Sequence, residues 1–204
     1  MKIWVFGDSY SKKFEDKYGW DKKYTQLKGY FPKTFSELIS NDLQIELKNY
    51  AEYGNCNNDI FHSIVNVIYE IKKNDLVFIQ WANTKRFRLV DKSGEFRTIQ
   101  FGWDREYDFF NEKKETINEI LSNRESANYF NEIDDWTKII NLALPKRKII
   151  FWSPLTENVI NFHHFTTIAE ETNFEINDQH YGEVGHQELA NYFLKLLTNK
   201  KTIL

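Results

Sequence analysis

Serine, histidine and small polar residues stand at four points of this chain where one structural pattern stops and another begins. Gly7-Asp8-Ser9-Tyr10-Ser11 ends an apolar run at residues 3–6, Gly54-Asn55 follows a second apolar segment, and Asn83-Thr84 follows a third. Asn177-Asp178-Gln179-His180-Tyr181-Gly182 then comes directly before a C-terminal amphipathic stretch. Hydroxyl and imidazole together are the material of nucleophilic catalysis. A serine is a weak nucleophile that needs a neighbouring base, and a histidine, with an ordinary pKa of about 6.5, takes the proton and returns it near neutral pH. Other candidates are weaker. His186 opens the last helical pattern and is the rival base, and His163-His164 lack an acidic or cysteine partner at metal-ligand spacing, so no metal is expected there. Cys56 reads as a small buried residue rather than a nucleophile. His62 reads as a surface or rim residue, and the lysines of 12–23 as a solvated face, whose interleaved Tyr18, Trp20 and Tyr24 could bind sugars or an acidic polymer.

The elements that must carry these residues follow from hydrophobic periodicity. Residues 2–6, 45–50, 75–81 and 148–153 read as strands, and the unbroken apolar run within 75–81 is that of a strand covered on both faces. Helical spacing joins Phe31, Phe35, Leu38 and Ile39, with Pro32 acceptable in a first turn. It also joins Ile60, Phe61, Ile64, Val65, Ile68 and Ile71, with Asn58 or Asp59 as the cap and Lys72-Lys73-Asn74 as the close. Residues 104–144 read as two helical pieces parted near 123–127, and 184–197 as the last helix. Residues 88–102 read as a hairpin turning at Asp91-Lys92-Ser93-Gly94. The stretch from Tyr10 to about Pro32 shows no clear period and reads as a long functional loop. Strands alternating with helices predict a layered α/β domain, a parallel sheet of about five strands with helices on both faces. Active residues in such sheets gather at the carboxyl ends of the strands.

In that order the four segments resemble the blocks of the SGNH, or GDSL, hydrolases, a family of serine esterases and lipases. Gly7-Asp8-Ser9 after a strand matches the first block, Gly54 the second, Asn83 the third, and Asp178 with His180 the fourth. The resemblance implies the family's three-layer, flavodoxin-like fold, with Ser9 as nucleophile and His180 as base. It also implies an oxyanion hole made of the Ser9 and Gly54 backbone N–H groups and the Asn83 side-chain amide. Gly54 suits that role physically, since a missing Cβ allows close backbone approach. Two blocks depart from the pattern. Where the family usually has Gly-x-Asn-Asp, this chain has Trp81-Ala82-Asn83-Thr84, and where it usually has Asp-x-x-His, the residue three before His180 is Asn177. Asp178 is the expected acid, with Asn177 as an amide that can orient an imidazole without stabilising its charge, and a Ser-His dyad as the fallback. Asp8 is expected to brace its turn, and Asp8, Tyr10, Arg86 and Arg88 are candidate substrate contacts.

Composition removes several other classes. A net charge of −3 argues against nucleic-acid binding by bulk electrostatics. One cysteine excludes an intrachain disulfide and a cysteine-rich zinc site. Aromatic residues make up 17%, which rules out disorder despite a mean hydropathy of −0.61. No apolar run can span a bilayer, and the one behind Met1-Lys2 is too short for a signal peptide, so the expected setting is the cytoplasm. With no composition break or repeat, residues 1–204 read as a single domain. The expected activity is hydrolysis of a short acyl ester, acetyl included, on a carbohydrate or other small ester, with no cofactor and no membrane or nucleic-acid partner. Two alternatives use the same fold: a binding or assembly protein with weak or lost catalysis, and a sugar O-acyltransferase whose acceptor replaces water.

Overall fold

Strand β1 (Lys2–Phe6) alternates its side chains across the sheet, with Ile3 and Val5 on one face and Trp4 and Phe6 on the other. The computed structural model describes residues 1–16, 19–83, 86–90, 94, 96–100, 126–154 and 165–198. The chain runs from β1 through helices α1 (Gly19–Lys28) and α2 (Phe35–Leu43) to β2 (Glu46–Asn49). It continues through α3 (Asn57–Val67) and a single 3₁₀ turn at Ile68–Glu70 to β3 (Leu76–Gln80). Then come β4 (Arg86–Val90), β5 (Phe96–Gln100), α4 (Ser126–Ala143), β6 (Lys148–Trp152), the short α5 (Ile168–Glu171) and α6 (Glu183–Thr198).

The described residues form one parallel four-stranded sheet, ordered β2-β1-β3-β6, against an expectation of about five strands. β4 and β5 make a separate antiparallel pair, with Arg86 opposite Gln100 and Val90 opposite Phe96. From β1 the chain crosses one way to β2 and back the other way to β3. Right-handed crossovers in opposite directions put their helices on opposite faces. Accordingly Phe35 and Ile39 of α2 pack with Leu189 and Phe193 of α6 against Ile3, Val5 and Phe78. On the other face Ile60 and Ile64 of α3 and Ile133 and Ile140 of α4 cover Trp4, Phe6, Val77 and Ile79. The carboxyl ends of β1 and β3, where the strand order reverses, form the crevice in which such sheets place their active residues.

Asp75 anchors the opposite end of the sheet. Its carboxylate accepts from the Lys2 backbone N–H at 2.7 Å, the Trp4 indole N–H at 2.9 Å and the Lys72 backbone N–H at 2.9 Å. The stretch expected as a structureless loop contains α1, the main departure from the sequence reading. Its inward face is Asp21, Tyr24 and Thr25, so the burial stripe is polar and hydrophobic periodicity does not reveal it. The first helical piece expected within 104–144 lies largely outside the described residues, as do His163 and His164. Among the described residues no helix is long and apolar enough to cross a membrane.

Candidate active site

The turn after β1 is held from below. Gly7 is required there by close approach, since a Cβ would lie 2.6 Å from Gln80 Oε1 and 2.9 Å from Gln80 Cβ. Asp8 is fully buried, and its Oδ1 accepts from the Tyr10 backbone N–H at 3.0 Å and from Gln80 Nε2 at 2.6 Å. Its Oδ2 accepts from Arg86 Nη1 at 2.7 Å. Gln80 Oε1 in turn accepts from the Asp8 backbone N–H and the Ser11 hydroxyl, at 3.1 and 2.9 Å. Each polar atom named here has a partner, as buried polar groups require. The result is a rigid turn that leaves Ser9 only 7% exposed.

Asp178 and His180 sit on the segment between α5 and α6. Ile168 and Ala169, at the start of α5, pin that segment by donating their backbone N–H groups to the carbonyls of His180 and Asp178, at 2.7 and 2.9 Å. His180 Nε2 lies 2.7 Å from Ser9 Oγ, and His180 Nδ1 lies 2.6 Å from Asp178 Oδ1. Asp178 Oδ1 also accepts from the His180 backbone N–H at 2.8 Å. A carboxylate accepting from Nδ1–H leaves the Nε2 lone pair facing the serine hydroxyl. Burial pushes the Asp178 carboxyl upward, but its hydrogen bonds and attraction to His180 outweigh that and hold it below the usual aspartate range. Asn177, the alternative orienting residue, is exposed.

His186 has a different role. Its Nδ1 accepts from the Phe35 backbone N–H at 3.3 Å, and its ring packs edge-on to Phe14 and Tyr181. Burial pushes its pKa down to about 3, so it stays neutral inside the core. Cys56 caps α3 and donates its thiol to Asp59 Oδ2 at 3.0 Å, while burial pushes the thiol up to about 12. His62 is exposed on α3.

The remaining sequence candidates lie on the turns that follow β1, β2 and β3 and on β4. Gly54 follows β2 with φ +76°, the left-handed region that glycine enters without strain. The neighbouring Asn55 ties this turn to β1 by donating its side-chain amide to the Gly7 carbonyl at 3.0 Å. Asn83 is half-buried just past β3, and its carbonyl accepts from the Arg86 backbone N–H at 3.1 Å. Asn57 holds the preceding Ala82 at both its carbonyl and its N–H, at 3.1 and 2.6 Å. Three of the four candidate substrate contacts turn inward. Asp8 and Arg86 form the buried pair under the Ser9 turn, and Arg86 Nη1 also donates to the Asn55 carbonyl at 3.1 Å. Tyr10 stacks on His180, ring centroids 4.6 Å apart and planes tilted by 30°, with its hydroxyl on the Gln179 carbonyl at 3.3 Å. Arg88 is partly exposed, its guanidinium 2.8 Å from Asp59.

Sequence reasoning missed two participants. Gln80 interrupts an apolar run at a strand end, and that single polar residue was its only signal. Trp20 stacks on the other face of His180, centroids 4.3 Å apart and planes at 9°, from a helix that periodicity did not reveal.

No protein-family profile matches the chain, and no curated protein does. Solved structures similar to it include a member of the lipolytic protein G-D-S-L family from Veillonella parvula, 16% identical over 99% of this chain and 74% of that one, TM-score 0.39. An acetyl xylan esterase from Butyrivibrio proteoclasticus is 13% identical over 98% of this chain and 64% of that one, TM-score 0.48. A lipase/acylhydrolase from Enterococcus faecalis is 14% identical over 96% and 94%, TM-score 0.43. The functional reading of this chain therefore rests on its own Ser9, His180 and Asp178.

Proposed function

We propose that this chain is a serine ester hydrolase of the SGNH type, removing a short acyl group such as acetyl from a carbohydrate or other small ester. The observation that carries the reading is the unbroken relay from Asp178 Oδ1 through His180 to Ser9 Oγ, with links of 2.6 and 2.7 Å. Ser9 Oγ gives its proton to His180 Nε2 as it bonds the acyl carbon. The oxyanion is received by the backbone N–H groups of Ser9 and Gly54 and the side-chain amide of Asn83, each such donor being worth roughly 10²–10³ in rate. His180 then returns the proton to the departing alcohol. Water, losing a proton to the same imidazole, attacks the acyl–Ser9 ester, and His180 returns that proton to Ser9 Oγ as the carboxylic acid is released. Asp178 keeps the productive tautomer and offsets the charge that appears on His180.

The recessed position of Ser9, 7% exposed, supports a narrow acyl group over a long chain. Partly exposed rings of Trp20 and Tyr53 beside the site support a carbohydrate as the alcohol, since flat apolar faces pack on sugar rings. The test is a fluorophosphonate probe followed by mass mapping, with 4-nitrophenyl acetate hydrolysis measured beside it. An adduct on Ser9 and turnover abolished by Ser9→Ala are expected. No adduct and no Ser9-dependent turnover would favour the binding-protein reading instead. A faster release of acyl groups to added sugar than to water would identify a transferase.

A further inference from the structure

The His180 imidazole is held in its own plane by Asp178 and Ser9, and across that plane by two aromatic faces. Tyr10 stacks on one face, from the Ser9 turn itself, and Trp20 on the other, from the first turn of α1. Next to Trp20, Asp21 reaches the other half of the site. Its Oδ2 accepts from the Tyr53 hydroxyl at 2.5 Å, and Tyr53 is the residue before Gly54. The same oxygen accepts from the Glu15 backbone N–H at 2.6 Å, which ties α1 to the segment following the Ser9 turn. Farther along α1, Tyr24 donates its hydroxyl to Glu171 Oε1 at 2.7 Å and accepts from the Glu183 backbone N–H at 2.6 Å. Lys28 pairs with both Glu171 and Glu183, which flank the segment carrying Asp178 and His180. One helix is thus fastened to the segment carrying the base and to the turn carrying Gly54.

We propose that Trp20 is a positioning residue for the general base. Its indole holds the imidazole against Tyr10, and α1 keeps that clamp in register with the Gly54 turn. The inference rests on the triad reading above. A ring free to rotate out of plane loses its aim at Ser9 Oγ, and misplacement of about 1 Å can cost about a hundredfold in rate. The two π faces also meet the imidazolium when it forms, an arrangement that attracts a cation.

The test compares the wild type with Trp20→Ala and Trp20→Phe by two readouts. With 4-nitrophenyl acetate, Trp20→Ala is expected to lower kcat roughly tenfold to a hundredfold with little change in KM, and Trp20→Phe to recover most of the loss. In NMR spectra, the His180 ring C–H resonances should lie upfield in the wild type through the ring currents of both neighbours. In Trp20→Ala they should move downfield, and their nuclear Overhauser contacts with Tyr10 should weaken. Wild-type kcat in folded Trp20→Ala, or Trp20→Phe no better than Trp20→Ala, would overturn the proposal. If Trp20→Ala does not fold, Trp20→Leu removes the π face while keeping an apolar cover, with the same outcomes expected. If no variant shows Ser9-dependent turnover, the esterase reading fails and the NMR contacts alone decide: a ring still fixed without Trp20 refutes the clamp, and a ring released supports it.

Discussion

Arg86 Nη1 lies 2.7 Å from Asp8 Oδ2 with both side chains sealed from water, so the turn presenting Ser9 is built over a buried ion pair. Such a pair is weak evidence of net stabilisation, but removing one partner strands the other charge in the interior. Arg86→Met is therefore expected to cost about 3–5 kcal/mol, measured by urea unfolding. The double variant Asp8→Asn/Arg86→Met should cost less than the two single changes added together, because the two sites are coupled. Strictly additive costs would show that the pair does not act as a unit.

Asp178→Asn is expected to lower kcat on 4-nitrophenyl acetate by roughly 10²–10⁴ with a smaller effect on KM, as loss of the third member's charge does in a serine protease. Asn177→Asp should be nearly silent, since Asn177 is exposed and the place beside Nδ1 is already taken by Asp178. Full activity in Asp178→Asn would leave a Ser9–His180 dyad.

Acid should destabilise the fold in two stages. His186 has a folded pKa of about 3 against an ordinary 6.5, so the unfolded chain binds a proton in that window that the folded chain does not. Stability then rises with pH across the window, and falls as the pH drops below 6.5. For Asp75, burial raises the carboxyl, but the three N–H donors prevail and hold it below the ordinary 3.8. Its contribution is present above 3.8 and lost as the pH falls through the lower folded value. Urea midpoints measured from neutral pH downward should show His186→Gln flattening the first stage and Asp75→Asn the second. Profiles parallel to wild type would refute these assignments.

Cys56 should be inert in the native protein. Its thiol is 1% exposed, bound to Asp59 and held protonated by burial. With Ellman's reagent at mildly alkaline pH, the colour should appear only at the rate of unfolding and immediately in urea. Fast native labelling would contradict the burial.

The strands were legible in the chain's own pattern, because their apolar runs at 3–6 and 76–79 are buried only between two helical layers. The bodies of α2, α3 and α6 were legible too, since their buried stripes are apolar and repeat at helical spacing. Their starts were not: α2 begins at Phe35 behind Thr34 rather than at Phe31-Pro32, and Cys56 rather than Asn58 or Asp59 caps α3. The pairing of Asp178 with His180 was expected only from the resemblance of their block, with Asn177 left open. The contact that holds the aspartate near the ring, its acceptance from the backbone N–H two residues on, came from the structure. Only the tertiary structure brought Ser9 to His180 across 171 residues. It alone turned Arg86 from a candidate substrate contact into the partner of Asp8, and it alone disclosed α1 and Trp20. The reason is physical. Hydrophobic periodicity records which face of an element is dry, whereas a polar side chain or a lone ring finds its partner only when distant segments close on one another, and nothing in its own neighbourhood of the chain names that partner.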